Sequence, residues 1–275
     1  MTNVPEFRDS VMNQKSKPMQ LSRSTDEPPE SSSPGDDSLR ERLADVRQRI
    51  AAAARMVDRA PAEIKLLPVT KTVSVDRLRT AYNAGLSTFG ENKVQEARMK
   101  ADALADLDIA FSIIGRLQTN KARYVARFAA EVQTLDSLKL ATALDRRLQI
   151  EGRSLDVLVQ VNTSGEDSKY GLPPDRVAAF LQELPAFTAL RVRGLMTLAL
   201  FSDDTERVRA CFVRLRELRD RVRQEAPPAV AMDELSMGMS GDFELAIREG
   251  ATIVRVGQAI FGRRPLPDSY YWPVG

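Results

Sequence analysis

The feature that most constrains this chain is an alternation. Short apolar runs at 64–70, 86–90, 109–115, 131–136, 155–162, 191–198, 233–238 and 251–257 are separated by stretches of helical character at 75–84, 93–104, 119–129, 137–151, 174–184, 204–224 and 242–249. Strands that alternate with helices are joined by crossovers and run parallel. Strands that are apolar throughout are covered on both faces. Eight such units in about 230 residues predict a single TIM-type (β/α)8 barrel. A doubly wound open sheet is the alternative, but no GxGxxG follows the first strand, so its dinucleotide-binding form lacks a fingerprint.

Ahead of the first strand, Leu39, Leu43, Val46, Ile50, Ala54 and Val57 recur at steps of three and four, which predicts one amphipathic helix with Ser38 as its N-cap. Residues 1–37 are rich in Ser, Pro and charge without apolar period and read as a disordered leader. The predicted organisation is therefore 1–37 leader and 38–275 barrel domain.

Composition removes whole classes of chemistry. The 275 residues contain no histidine, so metal sites, triads and general bases built on imidazole are excluded. The one cysteine, Cys211, lies in a helical pattern and reads as a packing residue. With 40 basic and 38 acidic side chains the net charge is +2, which carries no nucleic-acid signature. No apolar run approaches the ~20 residues of a membrane span, and no signal-peptide core is present, so a cytoplasmic protein is expected. In the long basic stretch 204–224, Val208, Phe212, Leu215 and Leu218 are expected to face inward.

In barrels of this kind the chemistry sits on the loops after the strands. Lys71 ends the run "IKLLPVTK"; Glu91 and Asn92 follow the second strand, and "GRLQTNK" the third. Asp136 and Ser137 follow the fourth, and "NTSGEDSKYG" the fifth. "SMGMSGD" follows the seventh, and "RVGQAIFG" spans the eighth and its loop. The last two loops carry small and hydroxyl residues before helices, where backbone N–H groups favour a phosphate. A phosphorylated aldehyde would use both such a cradle and the Lys71 amine, and pyridoxal 5′-phosphate (PLP) is the common one. A lysine at a strand rim, a Gly/Ser connection and an arginine in an ordinary salt bridge are the bland readings of the same residues.

Taken in order, "LLPVTKT", "FGENKVQEA", "IIGRLQTNKARYV", "DSLKLA", "VLVQVNTSGEDSKYGL", "RVRGLMTL", "LSMGMSGDFELAI" and "TIVRVGQAIFG" resemble the pyridoxal phosphate homeostasis proteins, single-domain relatives of the alanine racemase N-terminal domain. The resemblance runs from about Leu39 to Arg263. It implies that Lys71 forms the internal aldimine with PLP and that Asn92 lies beside the ring. Ser240, Gly257 and Gln258 would bind the phosphate, with Ser236 and Met237 on the same loop, and Arg255 would face the pyridine nitrogen. Lys169 matches a lysine near the pocket, and no metal is implied. Four positions depart from the pattern. Gln258 replaces a Thr or Ser, Phe111-Ser112 an aromatic-His pair, Gly241 an acidic residue and Thr70 a serine. An arginine at the ring nitrogen disfavours its protonation and weakens the ring as an electron sink. The expectation is thus a monomeric PLP carrier that takes part in intracellular PLP homeostasis and supplies apoenzymes by transient contact. The alternative is a racemase-like PLP enzyme using Lys71 with Tyr170 or Lys169.

Overall fold

The structure, a computed structural model, describes residues 34–166 and 170–262. Most of the expected leader, Lys169 and the "YYWP" tail lie outside the described residues. Eight strands alternate with helices: β1 (Lys65–Pro68), β2 (Thr88–Glu91), β3 (Ala110–Ile113), β4 (Glu131–Leu135), β5 (Leu155–Gln160), β6 (Leu190–Met196), β7 (Glu234–Ser236) and β8 (Ile253–Val256). The helices are α1 (Pro34–Arg55), α2 (Val75–Asn83), α3 (Val94–Ala103), α4 (Ala122–Phe128), α5 (Leu138–Glu151), α6 (Val177–Glu183), α7 (Thr205–Glu225), α8 (Phe243–Arg248) and α9 (Gln258–Phe261). All strand pairs are parallel, in the order β1-β8-β7-β6-β5-β4-β3-β2.

The ring closes between β1 and β2 through the single bridge Val69↔Gly90, with Thr70 N–H donating to Gly90 O at 2.9 Å. This is the expected barrel, and every predicted strand is present. Both ends of the first helix differ, since it stops at Arg55, short of Val57. Helix α1 begins at Pro34, so Ser38 is not a cap but an internal residue whose hydroxyl accepts from Arg42. Proline is well tolerated in a first turn, where its missing N–H has no partner to lose.

The main core lies between the barrel wall and the helices. Leu39, Leu43, Val46, Ile50 and Ala54 of α1 are buried in it, as are Val208, Phe212, Leu215, Leu218 and Cys211 of α7. A smaller apolar plug fills the barrel: Leu67, Ile114, Leu158, Met196 and Ile253. Because side chains alternate across a strand, Arg255 shares the inward face of β8 with Ile253.

Two glycines let neighbouring backbones meet. A Cβ on Gly194 would lie 1.9 Å from the carbonyl oxygen of Glu234, and one on Gly115 would lie 2.2 Å from that of Asn92. No side chain fits at such separations, so β6 meets β7, and the end of β3 meets the end of β2, only through glycine.

Candidate functional site

Strands β7, β8, β1 and β2 are consecutive around the ring. The residues expected to form the site all come from their C-terminal ends. Lys71 is half-buried in the turn after β1, and Asn92 is half-buried directly after β2. Ser236 ends β7 fully buried, and buried Met237 follows it. Ser240 lies on the same loop, Arg255 is in β8, and Gly257 and Gln258 open α9. The fold therefore carries all eight to one mouth of the barrel.

Arg255 is the buried cation of the site, with 3% of its surface exposed. It donates to Ser236 Oγ at 2.7 Å and to the Thr197 carbonyl at 2.8 Å. Among the described residues no carboxylate is in direct contact with it, and burial pulls its pKa down to about 10, with Asp242 acting in the opposite direction. The bland reading of Arg255 as half of an ordinary salt bridge is thus not what the described residues show. In its place a chain of side chains crosses the barrel: Ser236 Oγ also donates to Gln133 Oε1 at 2.7 Å, and Gln133 Nε2 donates to Glu131 Oε2 at 2.7 Å. Ser112, the residue that departs from the aromatic-His pattern, donates to the same Glu131 oxygen. A buried guanidinium needs its donors satisfied, and this chain does so with neutral acceptors that lead to a distant carboxylate.

The loop after β7 turns back sharply. Gly238 has φ +92°, and a Cβ there would meet Ala246 Cβ at 2.6 Å. Met239 N–H donates to Asp242 Oδ1 at 2.5 Å, and burial holds the Asp242 carboxyl above its ordinary range. The Ser240 hydroxyl then faces the start of α9 and accepts from Gly257 N–H at 3.2 Å. A Cβ on Gly257 would stand 3.1 Å from the Val69 carbonyl, so a small residue keeps this corner open. Gly241, by contrast, has nothing within 4 Å. The acidic residue usual there would be accommodated, and its absence reflects no steric demand of this fold.

The turn that carries Lys71 has one unusual backbone angle: Thr72, a β-branched residue, sits at φ +67°. Side chains from β2 and α3 hold it. Thr70 Oγ1 donates to Glu91 Oε1 at 2.6 Å, and Thr72 N–H donates to Glu96 Oε1 at 2.7 Å. Hydroxyl-bearing Thr70 thus makes the bond that a serine would make there.

Sequence reasoning passed over Gln133, Glu131, the Thr197 carbonyl, Asp242, Glu96 and Lys100. Asp242 lies one place beyond Gly241, the position at which the family pattern has its acidic residue. Glu96 and Lys100 carried the i,i+4 signal of a same-face pair, without a hint that the face points inward. Tyr170, weighed as a second acid/base, is 52% exposed, and the Arg116 guanidinium stands 4.0 Å from its ring centre. Among the described residues, no cluster of metal-ligating side chains is present, and no helix is long and apolar enough to cross a membrane.

The profile of the alanine racemase N-terminal domain matches residues 42–265. A pyridoxal phosphate homeostasis protein of Aquifex aeolicus is 42% identical over 224 residues, covering 82% of this chain and 97% of the relative. One from Escherichia coli is 41% identical over 228 residues, covering 81% and 95%. The solved structure of PipY from Synechococcus elongatus with PLP bound aligns with a TM-score of 0.73 at 36% identity, covering 82% of this chain and all of that one. An alanine racemase of Clostridium difficile shares the fold at a TM-score of 0.64 and 15% identity, with 58% of its length covered. With most of its length matched at this identity, and with the same single barrel, the chain belongs to the pyridoxal phosphate homeostasis protein family.

Proposed function

We propose that this protein binds PLP at the mouth formed by β7, β8, β1 and β2, holds it covalently through Lys71, and serves PLP homeostasis as a carrier rather than a catalyst. The observation that carries the reading is the convergence of an amine, a donor cradle and a buried, carboxylate-free arginine on adjacent strand ends. The residues fit the group. Gly257 N–H and the Ser240 hydroxyl lie in one corner, with Gln258 next to them, and suit a phosphate. Arg255, with no carboxylate in contact, suits an uncharged ring nitrogen, and Asn92 flanks the Lys71 turn from β2.

When bound, PLP supplies an aldehyde that condenses with a lysine amine and a ring that can accept electron density. The chain's own residues govern the rest. Lys71 provides the amine, Ser240 and the backbone of Gly257 orient the phosphate, and the apolar plug that includes Met196 closes the floor to water. Arg255 keeps a proton off the acceptor atom facing it, since a second positive charge beside a buried guanidinium is strongly disfavoured. That restraint suits storage better than turnover. Tyr170 is exposed and stacked on Arg116, so it does not provide a buried acid/base partner for Lys71. Delivery to apoenzymes by transient contact, a monomeric state and a cytoplasmic location complete the reading.

The test is an absorption titration with PLP, followed by borohydride and peptide mapping, on wild type and Lys71→Ala. Fixation on Lys71 in the wild type, reduced at least about tenfold in the variant, supports the reading. Equal fixation at unrelated lysines in both proteins refutes it. Measurable racemisation of an amino acid would favour the enzymatic alternative.

A further inference from the structure

The two peptide groups that join Lys71 to its neighbours are both gripped by one ionic cluster, buried at Lys100 and Glu91 and half-buried at Glu96. The carbonyl of the Thr70–Lys71 peptide accepts from Lys100 Nζ at 2.7 Å. The N–H of the Lys71–Thr72 peptide donates to Glu96 Oε1 at 2.7 Å. Lys100 also reaches Glu96 Oε1 at 2.7 Å and Glu91 Oε1 at 2.6 Å, so the grips on the two peptides are themselves tied together. Glu91 in turn accepts from the Thr70 hydroxyl at 2.6 Å. Lys100 is 1% exposed and Glu91 fully buried.

A lysine and a glutamate have been taken out of water, at a cost that ion pairing seldom recovers in full. Thr72 is held at φ +67°, a left-handed conformation that is strained for a β-branched residue. Glu91 keeps one buried oxygen without a hydrogen-bond partner. Burial and strain concentrated on one three-residue turn are repaid where the direction of its central side chain matters. Fixing the planes on both sides of Lys71 fixes its Cα–Cβ vector, and hence the region of the mouth that its amine sweeps.

We infer that Glu91, Glu96 and Lys100 are positioning residues for the Lys71 amine. They act through the backbone of the turn. The inference rests on the assignment of Lys71 above.

Three full-length variants test it. Glu96→Ala removes the acceptor for Thr72 N–H, Glu96→Gln keeps an oxygen there, and Lys100→Met removes both the ammonium and its bond to Thr70. In the PLP-free protein, hydrogen exchange of the Thr72 amide should rise about tenfold or more in Glu96→Ala and return towards wild type in Glu96→Gln. At saturating PLP, visible circular dichroism per bound PLP should fall to less than about half in Glu96→Ala and Lys100→Met, with recovery in Glu96→Gln, since that signal reports the orientation of the held group. Wild-type circular dichroism per bound PLP in both disruptive variants, at a temperature where they are folded, overturns the positioning role. So does Glu96→Gln behaving like Glu96→Ala. Absence of borohydride fixation on Lys71 in the wild type instead defeats the cofactor assignment itself. The two failures are thereby separated.

Discussion

Replacing Gly115 by alanine isolates a single backbone-to-backbone contact at the mouth. The new Cβ would start 2.2 Å from the Asn92 carbonyl oxygen and 2.8 Å from its carbon. An ordinary carbon–oxygen contact is more than 3 Å, so one strand end must move by about 1 Å. No rotamer change relieves the clash, because the opposing atoms are main chain. Movement is resisted on both sides: Ile114 N–H donates to Glu91 O at 3.0 Å, and Thr134 Oγ1 donates to Gly115 O at 3.0 Å. Overpacking of this kind costs typically 1–3 kcal/mol, and opening one of these bonds adds about 1 kcal/mol. For a domain of this size, a loss of ~3 kcal/mol lowers Tm by roughly 6–12 °C. Thermal melts by far-UV circular dichroism measure it. PLP affinity should fall with it, because Asn92 is the residue displaced. Gly241→Ala, which meets nothing within 4 Å, is the control and should stay within about 0.5 kcal/mol of wild type. If Gly115→Ala melts within about 2 °C of wild type and binds PLP normally, then the close approach does not constrain the mouth as argued.

Other outcomes follow from the same geometry. Arg255→Leu leaves Ser236 Oγ and the Thr197 carbonyl without their donor, and is expected to weaken PLP binding at least about tenfold in a spectrophotometric titration, with a lowered Tm. The Glu234 carboxyl is held above its ordinary range by burial, then by Glu131 and Asp156, against Lys65 and Arg193, and its Oε2 has no hydrogen-bond partner. A raised carboxyl favours folding below its unfolded pKa, and that contribution is lost as pH rises through the folded value. Glu234→Gln should therefore be more stable than wild type near pH 8, with the advantage shrinking towards pH 4. Parallel melting curves across that range would refute it. Cys211 is fully buried, its Sγ 3.5 Å from the Arg207 carbonyl; thiol reagents should label it only at the rate of unfolding.

The architecture was legible because burial on both faces makes barrel strands apolar end to end. Short runs such as "LSTFG" stood out between polar helices. The mouth was legible because strand ends are where an apolar run stops, and Lys71, Asn92, Ser236 and Arg255 mark those points. The interior polar chain was not. Glu131 and Gln133 lie within the fourth apolar run, and only the ring geometry brings β4 opposite β7, so that Gln133 meets Ser236 across 103 positions of sequence. Lys100 was hidden for a related reason: on the helical period it reads as a solvent-facing partner of Glu96, and only the docking of α3 against β2 turns it inward. The start of α1 was misplaced because a proline inside the first turn looks like a breaker until the helix is seen to begin on it.

The seam between β1 and β2 has a consequence for how this sequence can vary. Thr70, Gly90 and Glu91 both complete the ring at its narrowest join and shape the turn bearing Lys71. Barrel integrity and presentation of the amine are thus encoded in overlapping residues. A substitution there is selected against twice, once for solubility and once for cofactor loading. In a deep mutational scan the two phenotypes should coincide at Thr70, Gly90 and Glu91, while separating cleanly at Lys71, Ser240 and Gln258.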